Sequence, residues 1–317
     1  MYEAHSDRHG RCGGRRTLRG APLRAGCHPV LRTFLLIAIL VSGATPALAW
    51  GDLAHQMVNA AAIEGLPEPI RSYFRTRKIY LLEHASEPEL VVHQDPAEGP
   101  HHYTEIEAYD RYPFRQFERR FITEHWSPAP SELSHGDSIW QIERYTLRLA
   151  EDFRRRRWDA ADHNAVFAAH FAADLTQPLH TVINYDGQLT NQRGIHARFE
   201  TELVRDLADR WALRPEPAEV VPDLRARIFR ELVTSYSYRQ VIFSADREAA
   251  AGGGYLDPQF SARFERLAGL LALRQLDAAA ALVSSFWYTA WVRAGRPVLP
   301  KVHAAPQPVG ARTGEGR

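Results

Sequence analysis

The segment WDAADHNAVFAAHFAADL, Trp158 to Leu175, limits this chain more than any other. Its second half is Ala, Val and Phe on every face. A helix that is apolar all round has no side for water and must lie inside a protein. A 317-residue chain can supply the shell it needs. Two residues interrupt the apolar surface, His170 and Asp174. Four apart, they share one helix face and reach toward a common point. Burying either alone is costly, so each needs a partner or a metal ion.

The shell also reads as helical. LAHQMVNAAAIEGL follows Asp52, which reads as its N-cap, and ends at Gly65 before Pro67. Short helices are expected over 69–77 and 80–86, then a long ordered loop over 87–113, rich in Pro, Gly and His. Helices follow over 114–126, from Ser138 to Phe153, and from Ile195 to about Leu213. Two or three more fill 219–293. No segment alternates convincingly as a strand does, and there are no repeats. The expected fold class is all-α, one multi-helix domain spanning 50–300. The run Arg154 to Arg157 reads as a solvated helix end, with a phosphate-contacting patch as the alternative.

Residues 1–49 differ in kind. An Arg- and Gly-rich leader precedes FLLIAILVSGA, then Pro46 and Ala47-Leu48-Ala49. A basic leader, a short apolar run and an A-x-A site describe an export signal cleaved after Ala49. The run falls short of the ~20 residues of a spanning helix, so no integral membrane span is expected. Cleavage removes the only cysteines, Cys12 and Cys27, so any staple must use His and carboxylates. It also removes seven Arg, Glu3 and Asp7, turning a formal net charge of +1 into −4. That balance does not suit a protein that holds long polyanions by charge alone. The expected product is an exported monomer starting at Trp50, with residues 301–317 as a disordered tail.

More metal-ligand types follow His170 and Asp174: His180 after Gln177-Pro178, then His196 and Glu200, again four apart. His55 lies in the first helix and His102 in the 87–113 segment. His with carboxylate, without Cys, suits zinc at a partly open site. The stretch HFAADLTQPLHTVINYDGQLTNQRGIHARFE, with Trp-Gly at the expected new terminus, resembles the bacterial zinc-dependent phospholipases C and the single-strand-specific zinc nucleases that share their fold. The likeness runs from Trp50 to about Val204. It departs at Ala54, where that family usually has Gly, and in the segment before His102, where it usually has Asp.

The resemblance implies three zinc ions. One would take the free amine and carbonyl of Trp50 with His55 and Asp174. A second would take His102, His170, Asp174 and a carboxylate, for which Glu89 is favoured over Glu87 and Asp95. The third would take His180, His196 and Glu200. The residue in the Glu89 position also assists the attacking water in some accounts of the family. Gln177, Asn184 and Asn191 are candidates to orient ligands or contact substrate. Tyr103, Tyr185 and Phe199 are candidates to stack on a base or cage a cationic head group. The other histidines between Trp50 and residue 300, His84, His93, His101, His125, His135 and His163, read as surface or hydrogen-bonded.

The implied activity is phosphodiester hydrolysis by hydroxide attack on phosphorus, of the phospholipase C kind. The alternative within the same fold is a single-strand nuclease. The alternative of another class is a non-catalytic, zinc-stabilised binding protein.

Overall fold

The chain parts into two units, Met1–Ala44 and Thr45–Arg317. The structure, a computed structural model, describes residues 50–300, all in the second unit. The expected signal segment, both cysteines and the expected tail lie outside the described residues.

The second unit is all-α, with no strand among the described residues. In chain order it holds α1 (Asp52–Gly65), α2 (Ile70–Thr76), α3 (Lys78–Glu83), α4 (Glu87–Gln94), α5 (Ile106–Tyr109), α6 (Arg115–Glu118), α7 (Ser138–Arg155) and α8 (Trp158–Asp174). Then come α9 (Ile195–Ala197), α10 (Leu203–Leu207), α11 (Leu224–Ala250) and α12 (Phe260–Arg293). A widened π turn, Arg198–Glu202, joins α9 to α10 as one continuous run.

α8 is the axis of the domain. From Ala165 to Asp174 every residue is buried. Its Ala faces let α7 and α12 approach closely, and Trp287 of α12 donates its indole N–H to Ala165 O at 3.0 Å. α12 also crosses α1, α7 and α11. It is long and apolar enough to cross a bilayer, but 61 % of its most apolar window is buried against the rest of the domain. Its apolar surface is used in the core.

Three local expectations need correction. Gly51, not Asp52, caps α1; Asp52 is the first helical residue, where its charge suits the positive helix end. Residues 87–113 are not one loop but hold α4, a 3-10 turn over Pro96–His102, and α5. Two of the prolines there start helical turns: Pro88 and Pro96 both sit in first turns, where a missing N–H costs nothing. The run from Ile195 ends at Arg210 rather than Leu213. The 154–157 run is a helix end: Arg154 and Arg155 pair with Glu151, Arg157 pairs with Asp152, and Arg156 turns left-handed at φ 57°.

Candidate metal centre

α8 ends at Asp174 and the chain turns through Thr176 and Gln177 into a 3-10 turn, Pro178–Thr181. This corner places His180 just beyond the ligand face of α8. Two groups of metal-ligating side chains assemble around it.

The first group is Glu89, His102, His170 and Asp174, whose ligand atoms all lie within 4.8 Å of one another. His102 Nδ1 stands 3.1 Å from each of Glu89 Oε1, Asp174 Oδ2 and His170 Nε2. His170 Nε2 stands 3.4 Å from both carboxylate oxygens. One proton on His102 Nδ1 cannot serve three acceptors. One cation can. Zinc-ligand bonds of about 2.0–2.1 Å put tetrahedral ligand atoms roughly 3.3 Å apart, close to these separations. The ring of His170 is held from behind, its Nδ1 against Ala85 O at 2.9 Å.

His55 of α1 adjoins this group. Its ring stacks on His170 at 3.9 Å, and its Nε2 lies 3.4 Å from Asp174 Oδ1. His55 Nε2, Asp174 Oδ1 and Glu89 Oε1 are buried and make no hydrogen bond among the described residues. Leaving such atoms unsatisfied costs about 1–3 kcal/mol each, so their convergence suits a bound cation. Asp174 turns one oxygen to His55 and the other to His102 and His170.

The second group is His180, His196 and Glu200. Their ligand atoms are 2.9 Å apart for His180 Nε2 and His196 Nε2, 2.9 Å for His196 Nε2 and Glu200 Oε2, and 3.4 Å for His180 Nε2 and Glu200 Oε2. Three ligands leave a fourth tetrahedral position free, as catalytic zinc sites do. His180 Nδ1 meets the carbonyl of His102 at 3.0 Å, which ties the two groups together.

Charge follows the same logic. Burial raises the Glu89 carboxyl, but His102 and His170 outweigh it and hold it at about 2. Burial lowers His102, but Asp174 and Glu89 outweigh it and lift it to about 9. Burial opposes charge on Asp174, yet His170, His102 and His55 drive it well below the carboxylate range. Burial likewise works against His196 and Glu200, and their mutual attraction prevails: His196 goes up and Glu200 down. His55 is lowered, by burial first and by His170 second.

The competing carboxylates lie elsewhere. Glu87 pairs with His84 at 3.0 Å, and Asp95 caps the turn at Ala97 N. Gln177 is beside the second group, its Nε2 donating to Glu200 Oε2 at 3.2 Å and its Oε1 accepting from Leu179 N. Asn184 is turned into its own loop, accepting from Leu189 N and donating to Thr190 Oγ1. Asn191 is exposed and holds a left-handed turn at φ 58°. Trp50 is buried, its indole donating to Ala173 O at 3.0 Å, one residue before Asp174. Phe199, expected as a stacking surface, is fully buried against Trp50.

One cavity of about 440 Å³ meets both groups, lined by His102 from the first and by His180 and His196 from the second. Val92, Pro96, Pro100, Leu179 and Val182 make most of its wall apolar. Tyr103, Glu105 and Tyr185 stand around it, and among the described residues no Lys or Arg lines it. Burial and then Glu105 push the Tyr103 hydroxyl up to about 12, so it stays neutral.

Residues that spacing alone did not reveal support the second group. Arg198 lies between His196 and Glu200, and its guanidinium holds Asp246 of α11, which is fully buried. Gln192 Nε2 and Tyr255 OH complete the shell of that carboxylate. A sequence separation of 48 between Arg198 and Asp246 leaves no local signal. Neither a protein-family model nor a curated protein sequence matches the chain.

Proposed function

We propose that the protein is a zinc-dependent phosphodiesterase of the phospholipase C kind, exported and active after cleavage before Trp50. The observation that carries this reading is the pair of His-carboxylate groups facing one cavity. The donor set is nitrogen and oxygen without sulfur, at separations that fit tetrahedral zinc. Glu89, His102, His170 and Asp174 would hold one ion, and His180, His196 and Glu200 a second. His55 and Asp174 would hold a third with Trp50, once cleavage frees its amine. Zinc in such sites acidifies a water and takes up charge on phosphoryl oxygens.

The chain's own residues do the rest. Asp174 turns Oδ1 to His55 and Oδ2 to His102 and His170, so with metal held there neither oxygen would be left to serve as a base. Glu89, held at about 2, is ionised at neutral pH; with Oε1 in the ligand group, Oε2 is left to accept a proton. Gln177 keeps the Glu200 carboxylate turned toward His180 and His196. The apolar wall excludes water beside the phosphorus. The lining favours a single phosphodiester with an apolar or cationic substituent over a polyanion, because among the described residues it holds Glu105 and no Lys or Arg. Tyr185, 45 % exposed at the cavity edge, is the feature that suits the alternative, a nuclease stacking a base on it.

The test is product release by the exported, zinc-loaded chain at neutral pH, from phosphatidylcholine and from single-stranded DNA, each with a chelated control. Chelator-sensitive release of phosphocholine supports the reading. Nucleotide release with intact lipid selects the nuclease. No turnover of either, with zinc bound, points to a binding protein.

A further inference from the structure

The loop INYDGQL, Ile183 to Leu189, has its polarity inverted. Its three large apolar side chains face water: Ile183 is 37 % exposed, Tyr185 45 % and Leu189 70 %. Its polar side chains are spent on the loop itself. Asn184 Oδ1 accepts from Leu189 N at 2.7 Å. Asp186 Oδ1 accepts from Gly194 N at 2.9 Å. Gln188 accepts from Asp186 N and donates to Ile183 O. Glu107 fixes the start, accepting from Ile183 N with one oxygen and from Tyr236 OH with the other. Gly187 has φ +71°, and a Cβ there would meet Gln192 O at 2.5 Å, so this turn requires glycine. The loop is therefore a braced scaffold that presents apolar groups outward.

Single exposed apolar residues are ordinary. Three within seven residues, displayed by a loop that has used up its polar groups, need a partner. The loop stands at the lip of the candidate site: Tyr185 lines the cavity and lies 5.8 Å from His196. From it the wall continues apolar through Val182 and Leu179. Just beyond the loop, Arg193 is exposed, and among the described residues no carboxylate lies within ion-pairing distance of it. An apolar lip with one free cation complements a bilayer surface, where acyl chains lie directly beneath phosphates. A polynucleotide instead asks for a track of cations along its backbone, and among the described residues no Lys or Arg lines the cavity.

We propose that the Ile183–Leu189 loop seats the protein on phospholipid bilayers. Ile183, Tyr185 and Leu189 enter the interface and Arg193 meets headgroup phosphates, so that the cavity opens onto the lipid. This rests on the phospholipid reading of the site.

The test is partition of the full, zinc-loaded protein onto vesicles of equal parts phosphatidylcholine and phosphatidylglycerol, beside hydrolysis of soluble bis(4-nitrophenyl) phosphate. Leu189→Asp should lower partition about tenfold and Leu189→Trp should raise it several-fold. Both should leave hydrolysis of the soluble ester within about twofold, because Leu189 touches neither ligand group. Unchanged partition in both variants overturns the proposal. So does a native protein that ignores vesicles yet releases phosphocholine from monomeric short-chain lipid, an outcome that leaves the site reading standing. Vesicle binding that tracks Leu189 without cleavage of any phospholipid supports the loop and removes the reading of the site. Weaker single-stranded DNA binding in Leu189→Asp, with vesicle binding unmoved, overturns it in favour of nucleic acid.

Discussion

Asp246 is the most informative residue to perturb outside the ligand groups. Its Oδ1 takes both Nε and Nη2 of Arg198 at 2.8 Å, and its Oδ2 takes Gln192 Nε2 at 2.9 Å and Tyr255 OH at 2.8 Å. Arg198 also donates to the carbonyls of Arg193 and Gln192 and lies over the Tyr255 ring at 4.1 Å. In Asp246→Asn the charge is lost and one amide N–H must face a donor. Breaking one side of a buried pair costs about 3–5 kcal/mol, and the oxygen that Asn retains puts the expected loss near 3. That is a large share of the roughly 5–15 kcal/mol typical of folded domains, but the protein should still fold. Arg198→Met strands the carboxylate instead. Because each single change leaves an unpaired group that the other removes, the double variant should cost less than the two singles together, by at least about 1.5 kcal/mol. Urea unfolding of all four proteins measures this. The second readout is zinc: affinity at the His180, His196 and Glu200 group should fall about 10–100-fold while the first group holds. Additive losses, or equal weakening of both groups, would show that Asp246 is ordinary packing and does not position the second group.

Other expectations follow from the same contacts. His102, lifted to about 9, carries a proton at pH 7 that a metal must displace. Zinc binding should then release about one proton from His102 alone, seen by calorimetry in buffers of different ionisation enthalpy, and none from it well above pH 9. Zero release at pH 7 contradicts the charge assignment. In the metal-free protein, Glu89 falls from 4.5 to about 2 on folding, so its stabilisation is complete above pH 4.5 and lost as pH drops toward 2. His102 rises from 6.5 to about 9, so its stabilisation is complete below pH 6.5 and lost as pH climbs through 9. Urea midpoints across pH should fall on both sides. Glu89→Gln should weaken zinc binding by about 100-fold or more. Glu87→Gln, removing only partly exposed pairs with His84 and His163, should change it less than twofold; equal effects would reopen the choice of carboxylate.

Much of the centre was legible because its physics is local. A His and an Asp four apart in an Ala-rich helix announce a buried pair, and His196 with Glu200 repeats the spacing. The spacing did not reveal that Glu200 of the second pair sits on a widened turn, where residues five apart share the backbone bond. Composition misled over 87–113: Pro88 and Pro96 open helical turns, and α4 is what carries Glu89 to His102 and His170 while Glu87, two residues earlier, reaches His84. The choice among three carboxylates therefore needed the helix. Phe199 could not be sorted from Tyr103 and Tyr185 by type alone, since burial against Trp50 depends on α1 meeting the 195–210 run. Arg198 with Asp246 is wholly non-local and had no sequence signature.

Both ligand groups gather at the C-terminal end of α8, and this placement has a physical reason. The last carbonyls of a helix lack partners within it and must be satisfied when buried. Trp50 and Thr176 supply donors to Ala173 O, and Gln275 of α12 supplies one to Thr176 O. The same end carries the negative pole of the helix, and Asp174 adds a full charge to it at complete burial. Such a concentration of negative potential is unfavourable without cations. His55, His102 and His170 crowd around it from α1, the Pro96–His102 turn and α8 itself, and a proton on His102 offsets part of it. Divalent cations would offset it more fully, because one ion satisfies several ligand atoms that a proton must leave competing. The end of α8 thus joins the fold to the proposed chemistry: the buried helix at the centre of this domain also creates the negative corner where the proposed metal ions would be held.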